Sequence, residues 1–222
     1  MKAIINAKIL LEDTFVEGKV LLFDHQIVQI ADEVETKNIE IIDAEGAYVS
    51  AGFIDLHIHG NGGADVMDAT PEALEMISST LLQTGTTSFL ATTMTMSNED
   101  IDNALQNIQL HGNKVTGANL IGVHLEWPFI NASKHGAQDK SYVQKANMLL
   151  IEDYMQEIKM ITLAPEIDGS EGFVKQLTKE FQDIILSIGH SDATYEEARE
   201  SFTWGLSHAT HHFNAMNAYH HR

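Results

Sequence analysis

The stretch Phe53-Ile54-Asp55-Leu56-His57-Ile58-His59-Gly60 decides how the rest of the sequence is read. An apolar run of strand type ends in two histidines at i and i+2. In a strand such residues point to the same side. Two imidazoles on one side of a strand's C-terminal end are good metal-ligand geometry, and that end is where α/β proteins build their sites. Taken alone, His57 and His59 read equally as solvated histidines at the start of a loop.

Before this stretch the chain reads as β. Residues 7–10, 19–23 and 27–30 are short apolar runs, and 39–43 is a further strand candidate. Glu17-Gly18 and Asp24-His25 sit where hairpin turns are expected. After Gly52 strand-like runs alternate with helix-like segments. The strand candidates are 53–56, 87–91, 120–123, 160–163, 184–188 and 206–209. Thr70-Pro71 opens a helix with Leu74, Ile77 and Leu81 on one face and Gly85 to close it. Ser97 opens another, with Ile101, Ala104, Leu105 and Ile108 at helical spacing. Further helices are expected around Ile151, Met155 and Ile158, at Val174, Leu177 and Phe181, and after Thr194 with Tyr195, Ala198 and Phe202.

Residues 1–50 are thus expected to form a small β domain and residues 51–222 an α/β domain with a parallel sheet and right-handed crossovers. Six βα units fit either an open doubly wound sheet or most of an eight-stranded barrel. No GxGxxG follows the first strand, and Asn61-Gly62-Gly63 lacks both that spacing and a phosphate-binding lysine.

Composition narrows the function. With 13 Lys and Arg against 32 Asp and Glu, the formal charge is −19. Phosphate backbones and anionic membrane surfaces are therefore unfavourable partners. There is no cysteine, so disulfides and thiolate metal sites are excluded, and a cytoplasmic setting is expected. The start Met1-Lys2-Ala3-Ile4-Ile5-Asn6 lacks the apolar core of a signal peptide, and no run reaches the ~18 apolar residues of a membrane span.

The chain has 12 histidines, and most sit at predicted strand ends. After His57 and His59 come His124 and Glu126, then His190, then His208, His211 and His212. Each reads alone as a capping or core residue. Together they place imidazole or carboxylate at four strand ends that converge in a parallel sheet. Such a set suits a divalent ion of the Zn, Fe(II), Mn or Co type. A bound divalent ion lowers the pKa of its water and polarises a carbonyl, which points to amide or ester hydrolysis or to deamination. Asp55 and Asp192 are the available carboxylates, with Asp55 placed to support the histidine pair.

At this point the residues resemble a known family. Residues 53–60 resemble the first-strand motif of the amidohydrolase superfamily. Within it, the chain is similar to the N-acetylglucosamine-6-phosphate deacetylases. The supporting stretches are Thr84-Gly85-Thr86-Thr87-Ser88-Phe89, His124-Leu125-Glu126-Trp127-Pro128-Phe129, Lys134-His135-Gly136-Ala137, Leu163-Ala164-Pro165-Glu166, Gly189-His190-Ser191-Asp192-Ala193 and Thr210-His211-His212-Phe213-Asn214-Ala215-Met216.

The resemblance implies a metal-dependent hydrolase of TIM-like (β/α) barrel fold, incomplete here, preceded by a small β domain. It implies hydrolysis of the acetamide of N-acetyl-D-glucosamine 6-phosphate to D-glucosamine 6-phosphate and acetate. By motif, Glu126, His190 and His211 match the main metal ligands, and His57 and His59 match the pair found in members that hold a second ion. One or two ions are implied, zinc first. Ala137, Gln138, Asn214 and Ala215 match substrate-contact positions, and Arg222 matches an arginine that contacts the sugar phosphate. A homodimer is implied, with Arg222 able to reach the neighbouring subunit's substrate.

Two departures from the pattern carry expectations. Trp127 stands where the family has glycine, so altered metal binding at Glu126 is expected. The catalytic aspartate of the family follows the last barrel strand, beyond Arg222. The chain as given is expected to hold the metal ligands without that base. The alternatives are another amidase or deaminase with the same metal cradle, or an inactive metal-binding fragment.

Overall fold

The computed structural model describes residues 1–35, 37–126 and 128–219. Trp127 and Arg222, and with them the expectations placed on them, lie outside the described residues, as do His220 and His221. The chain divides into two compact units, Met1–Gly52 and Phe53–Arg222.

The first unit is built of two small sheets. One contains β1 (Lys2–Ile5), β4 (Val20–Phe23), β5 (Ile27–Ala31) and β6 (Glu40–Asp43) in the order β5-β4-β1-β6. The other contains β2 (Lys8–Leu11), β3 (Thr14–Val16) and β7 (Tyr48–Val49) in the order β3-β2-β7. Ala7, Ile9 and Leu21 form its core, with Ile4, Val16 and Val49 packed around them. The turn at Asp24-His25 closes the β4–β5 hairpin as expected. Glu17-Gly18 does not close a hairpin. It carries the chain from one sheet to the other, with Gly18 at φ +71°, and the hairpin between β2 and β3 turns at Glu12-Asp13 instead.

The second unit holds a six-stranded parallel sheet of β8 (Phe53–Ile58), β11 (Thr86–Thr92), β12 (Asn119–Glu126), β13 (Ile158–Leu163), β14 (Ile185–Ile188) and β15 (His208–Ala209). Between β8 and β11 lies an antiparallel arm of β9 (Gly60–Asn61) and β10 (Ala64–Asp65), turning at Gly62-Gly63. The helices are α1 (Pro71–Leu81), α2 (Asn98–His111), α3 (Ser170–Glu180) and α4 (Tyr195–Trp204). The strands lie in sequential order, β8-β11-β12-β13-β14-β15. A doubly wound sheet reverses its order at a switch point. This one does not, so the winding is that of a barrel.

Strand alternation sorts the two faces. Val123, Leu125, Ile161, Leu163 and Leu186 are almost fully buried and share one cluster with Leu74, Ile77, Leu105, Val174 and Leu177 of the helices. The alternate residues His124, Glu126, Thr162 and Ser187 are equally buried but polar, and they occupy the inner face. The helix starts follow the sequence. Thr70, Ser97 and Thr194 each accept a backbone N–H at the first turn, and Thr194 forms a capping box with Glu197.

The helix expected around Ile151, Met155 and Ile158 does not form. Ile158 opens β13, and single 3-10 turns occupy 148–150 and 152–154. Upstream, the side chains of Asn131, Asp139 and Asn147 each accept the backbone N–H two residues on. Such local bonds break a segment into separate turns.

Candidate metal centre

Glu126 ends β12 with its side chain about 1% exposed. A buried carboxylate needs partners, and four imidazoles supply them. His211 Nε2 lies 2.9 Å and His190 Nε2 3.2 Å from Oε1, with His57 Nε2 at 3.9 Å from the same oxygen. His59 Nε2 lies 3.2 Å from Oε2. Gln138, buried, donates its amide N–H to Oε2 at 3.0 Å and accepts the backbone N–H of Thr95 with its own carbonyl.

The elements behind these side chains explain their aim. His57 and His59 leave the end of β8 on one side, and Asp55 accepts the backbone N–H of His57 at 3.0 Å. His190 follows β14 at φ +48° and His211 follows β15 at φ +30°. Side chains avoid this left-handed region, and such strain gathers at functional sites. Gly189 admits the close approach that precedes His190. A Cβ there would lie 2.6 Å from Thr162 Cγ2.

The hydrogen-bond partners fix tautomers. Nδ1 of His59 faces the Thr92 carbonyl at 3.2 Å, and Nδ1 of His190 faces the Lys134 carbonyl at 2.8 Å. A carbonyl only accepts, so Nδ1 carries the hydrogen in both rings. In their neutral forms both rings therefore aim an Nε2 lone pair at Glu126. His190 Nε2 and His211 Nε2 are also 3.1 Å apart. Lone pairs and a carboxylate converging in this way call for a positive charge among them.

Electrostatics agrees. Burial alone would raise the Glu126 carboxyl, but hydrogen bonds with His190, His211 and His59 hold it well below the usual carboxylate range. The hydrogen bond with Glu126 raises His211. Burial works against protonating His59, yet its bond to Glu126 raises it overall. Burial lowers His57, and the neighbouring His59 and His211 add to the fall. A divalent cation would meet the same demand for positive charge. The donor set, nitrogen and oxygen without sulfur, fits such an ion. Donor atoms of His57, Glu126 and His211 all lie within 4.8 Å of one another.

The other predicted residues separate. His124 does not face Glu126. Its Nδ1 donates to the Leu56 carbonyl at 2.9 Å, and its Nε2 accepts from Thr162 at 2.7 Å. Burial pushes its pKa down to about 4, and the nearby His57 adds to the shift, so the ring is neutral. His208 is exposed beside Ser207, and His212 stacks on Phe213, so of the three late histidines only His211 joins the cluster. Ala137 and Asn214 are exposed, and Ala215 accepts the backbone N–H of Ser191 at 3.2 Å. Asp192 pairs with Lys134 at 3.0 Å. Sequence reasoning quoted Glu166 but gave it no role. Its signal was a carboxylate three residues past a strand end, and it proves to bind the loop beside His190.

A strand-end cluster of histidines around one buried carboxylate, on a barrel-wound parallel sheet, is a site that could hold a divalent cation. The match to known proteins is of the same kind: the chain belongs to the amidohydrolase family, whose family model matches residues 48–222. The chain is 39% identical over 207 residues to N-acetylglucosamine-6-phosphate deacetylase of Lysinibacillus sphaericus, covering 90% of this chain and 52% of that protein. It is 39% identical over 215 residues to the Bacillus subtilis (strain 168) protein of the same name, covering 92% and 54%. The crystal structure of the Pasteurella multocida deacetylase of that name superposes with TM-score 0.86 at 32% identity, over 96% of this chain and 57% of that one. The chain spans about half the length of the curated relatives it matches.

Proposed function

We propose that this chain takes part in the metal-dependent hydrolysis of the acetamide of N-acetyl-D-glucosamine 6-phosphate, giving D-glucosamine 6-phosphate and acetate. The observation that carries the metal-dependent reading is the convergence of His57, His59, His190 and His211 on Glu126. The named activity of the relatives supports the substrate.

Glu126, His190 and His211 are the proposed main ligands, with His57 and His59 for a second ion. Zinc is the proposed metal on the family resemblance, and the imidazole and carboxylate donors suit Fe(II), Mn or Co as well. When bound, such an ion polarises an amide carbonyl and generates a nucleophile from water near neutral pH.

The chain's own residues orient the ligands. Thr92 and Lys134 carbonyls hold His59 and His190 in the tautomer that presents Nε2. Gln138 holds Oε2 of Glu126. Ala137, Asn214 and Ala215 are proposed substrate contacts, and Arg222 is the proposed phosphate contact. Glu126 is committed to the imidazoles, so the proton of an attacking water needs another acceptor, which the resemblance assigns to an aspartate after the last barrel strand.

Zinc titration by calorimetry tests the centre, and acetate release on phosphorylated and unphosphorylated N-acetylglucosamine tests the substrate. Zinc uptake is expected in the wild type, with Glu126→Gln and His211→Ala each weakening it at least tenfold. Any acetate release is expected to be faster from the phosphorylated sugar. Preference for the unphosphorylated sugar would assign the chain to another amidohydrolase activity.

A further inference from the structure

Glu166 lies just past the end of β13, and its carboxylate gathers three donors. Oε1 accepts from Asn131 Nδ2 at 2.9 Å and from the backbone N–H of Asp192 at 2.7 Å. Oε2 accepts from the Ser191 hydroxyl at 2.7 Å. These partners all adjoin His190. The backbone N–H of Asn131 donates to the His190 carbonyl at 2.9 Å, and Ser191 and Asp192 are the next residues along the chain. Lys134 completes the ring, its carbonyl on His190 Nδ1 and its ammonium on Asp192 at 3.0 Å.

His190 needs such a frame. Its φ of +48° is a conformation that an L side chain does not hold by preference. Its ring also fits closely. A Cβ at Gly136 would sit 3.4 Å from His190 Cε1.

We propose that Glu166 is a positioning residue for His190. It ties the segment at Asn131 to the Ser191-Asp192 backbone, so that the strained residue between keeps its Nδ1 on Lys134 and its Nε2 on Glu126. The consequence for an ion rests on the metal reading above. The consequence for the imidazole does not.

Two measurements on the full chain separate these. Cobalt(II) titration followed by visible absorption reads affinity and ligand field. Histidine ¹⁵N NMR, with the His190 signal identified by its loss in His190→Gln, reads the tautomer. Glu166→Ala is expected to weaken cobalt binding at least tenfold, shift the visible spectrum and remove the fixed Nδ1–H signal of His190. Glu166→Gln, which keeps an acceptor oxygen for Asn131 and Asp192, is expected to restore most of all three. Glu171→Ala, which removes an exposed carboxylate paired with Lys175, is expected to change none of them. A folded Glu166→Ala with wild-type affinity, spectrum and tautomer overturns the proposal. If Glu166→Ala does not fold, Asn131→Ala removes one arm of the frame and carries the same expectations and the same overturning result. If the wild type takes up no cobalt, the metal reading falls, and the His190 tautomer in Glu166→Ala still decides the role of Glu166.

Discussion

The inner face beneath the candidate centre carries a directed chain of hydrogen bonds. His124 gives its Nδ1–H to the Leu56 carbonyl, so its Nε2 must accept, and Thr162 must donate to it at 2.7 Å. Thr210 then donates to Thr162, and Ser187 to Thr210, each at 2.7 Å. One fixed carbonyl therefore orients four side chains drawn from four successive strands and their ends. Thr162→Val keeps the shape and breaks the chain in the middle, leaving His124 and Thr210 buried without their partner. A loss of about 1–3 kcal/mol is expected, measured by urea unfolding. Thr210 precedes His211, so the same variant is expected to weaken zinc binding as well.

The helices α1, α2 and α3 of the second unit bury apolar side chains, and α1, α2 and α4 start at a side-chain cap, whereas α3 starts at Gly169 without one. Leu105 of α2 is 1% exposed within the main cluster. Leu105→Ala is expected to cost about 2–5 kcal/mol by the same unfolding assay, because a cavity there cannot close. The α4 cap works at the other end of the scale. Thr194→Ala loses the bond from Glu197 N, the side-chain half of the capping box, with an expected cost of about 1 kcal/mol. These elements were legible in the sequence because their signals are local: Thr70-Pro71, Ser97 and Thr194 before apolar residues at helical spacing. The segment around Ile151, Met155 and Ile158 carries a local helical pattern that the fold does not use. Ile151, Met155 and Ile158 have helical spacing, yet Ile151 lies between two 3-10 turns, Met155 follows the second and Ile158 opens β13, and the Asx turns upstream carry no periodic signal.

At the scale of the second unit, the parallel sheet ends in two strands, β8 and β15, each paired on one side only among the described residues. Phe53 is 70% and Ile54 60% exposed on β8. Exposed apolar edge strands invite pairing with another chain. The formal charge of −19 opposes such contact, and salt screens it. Self-association of the chain is therefore expected to rise with ionic strength, and Ile54→Lys to reduce it, as read by sedimentation velocity over a concentration series. Association that ignores both salt and Ile54→Lys would remove the β8 edge as its cause. Among the described residues no helix is long and apolar enough to cross a membrane.

The sequence by itself determined the winding material and the donors. Period-two spacing put His57 beside His59, the βα alternation set parallel strands, and the absence of cysteine left nitrogen and oxygen as the only strong ligand atoms. Tertiary structure decided which donors meet. His124 and Glu126 share a strand face and looked alike, but the Leu56 carbonyl and Thr162 capture the first while the second reaches the histidines. The family motif already singled out His211 over His208 and His212, and the strained loop residues His190 and His211 show how the chain aims them, while Glu166 gained a role only in the folded loop beside His190. The reason is physical. Strand and helix preferences are set by near neighbours, whereas the bonds from Glu126 to His190 and His211 span 64 and 85 residues and exist only once the sheet has curled its strand ends together.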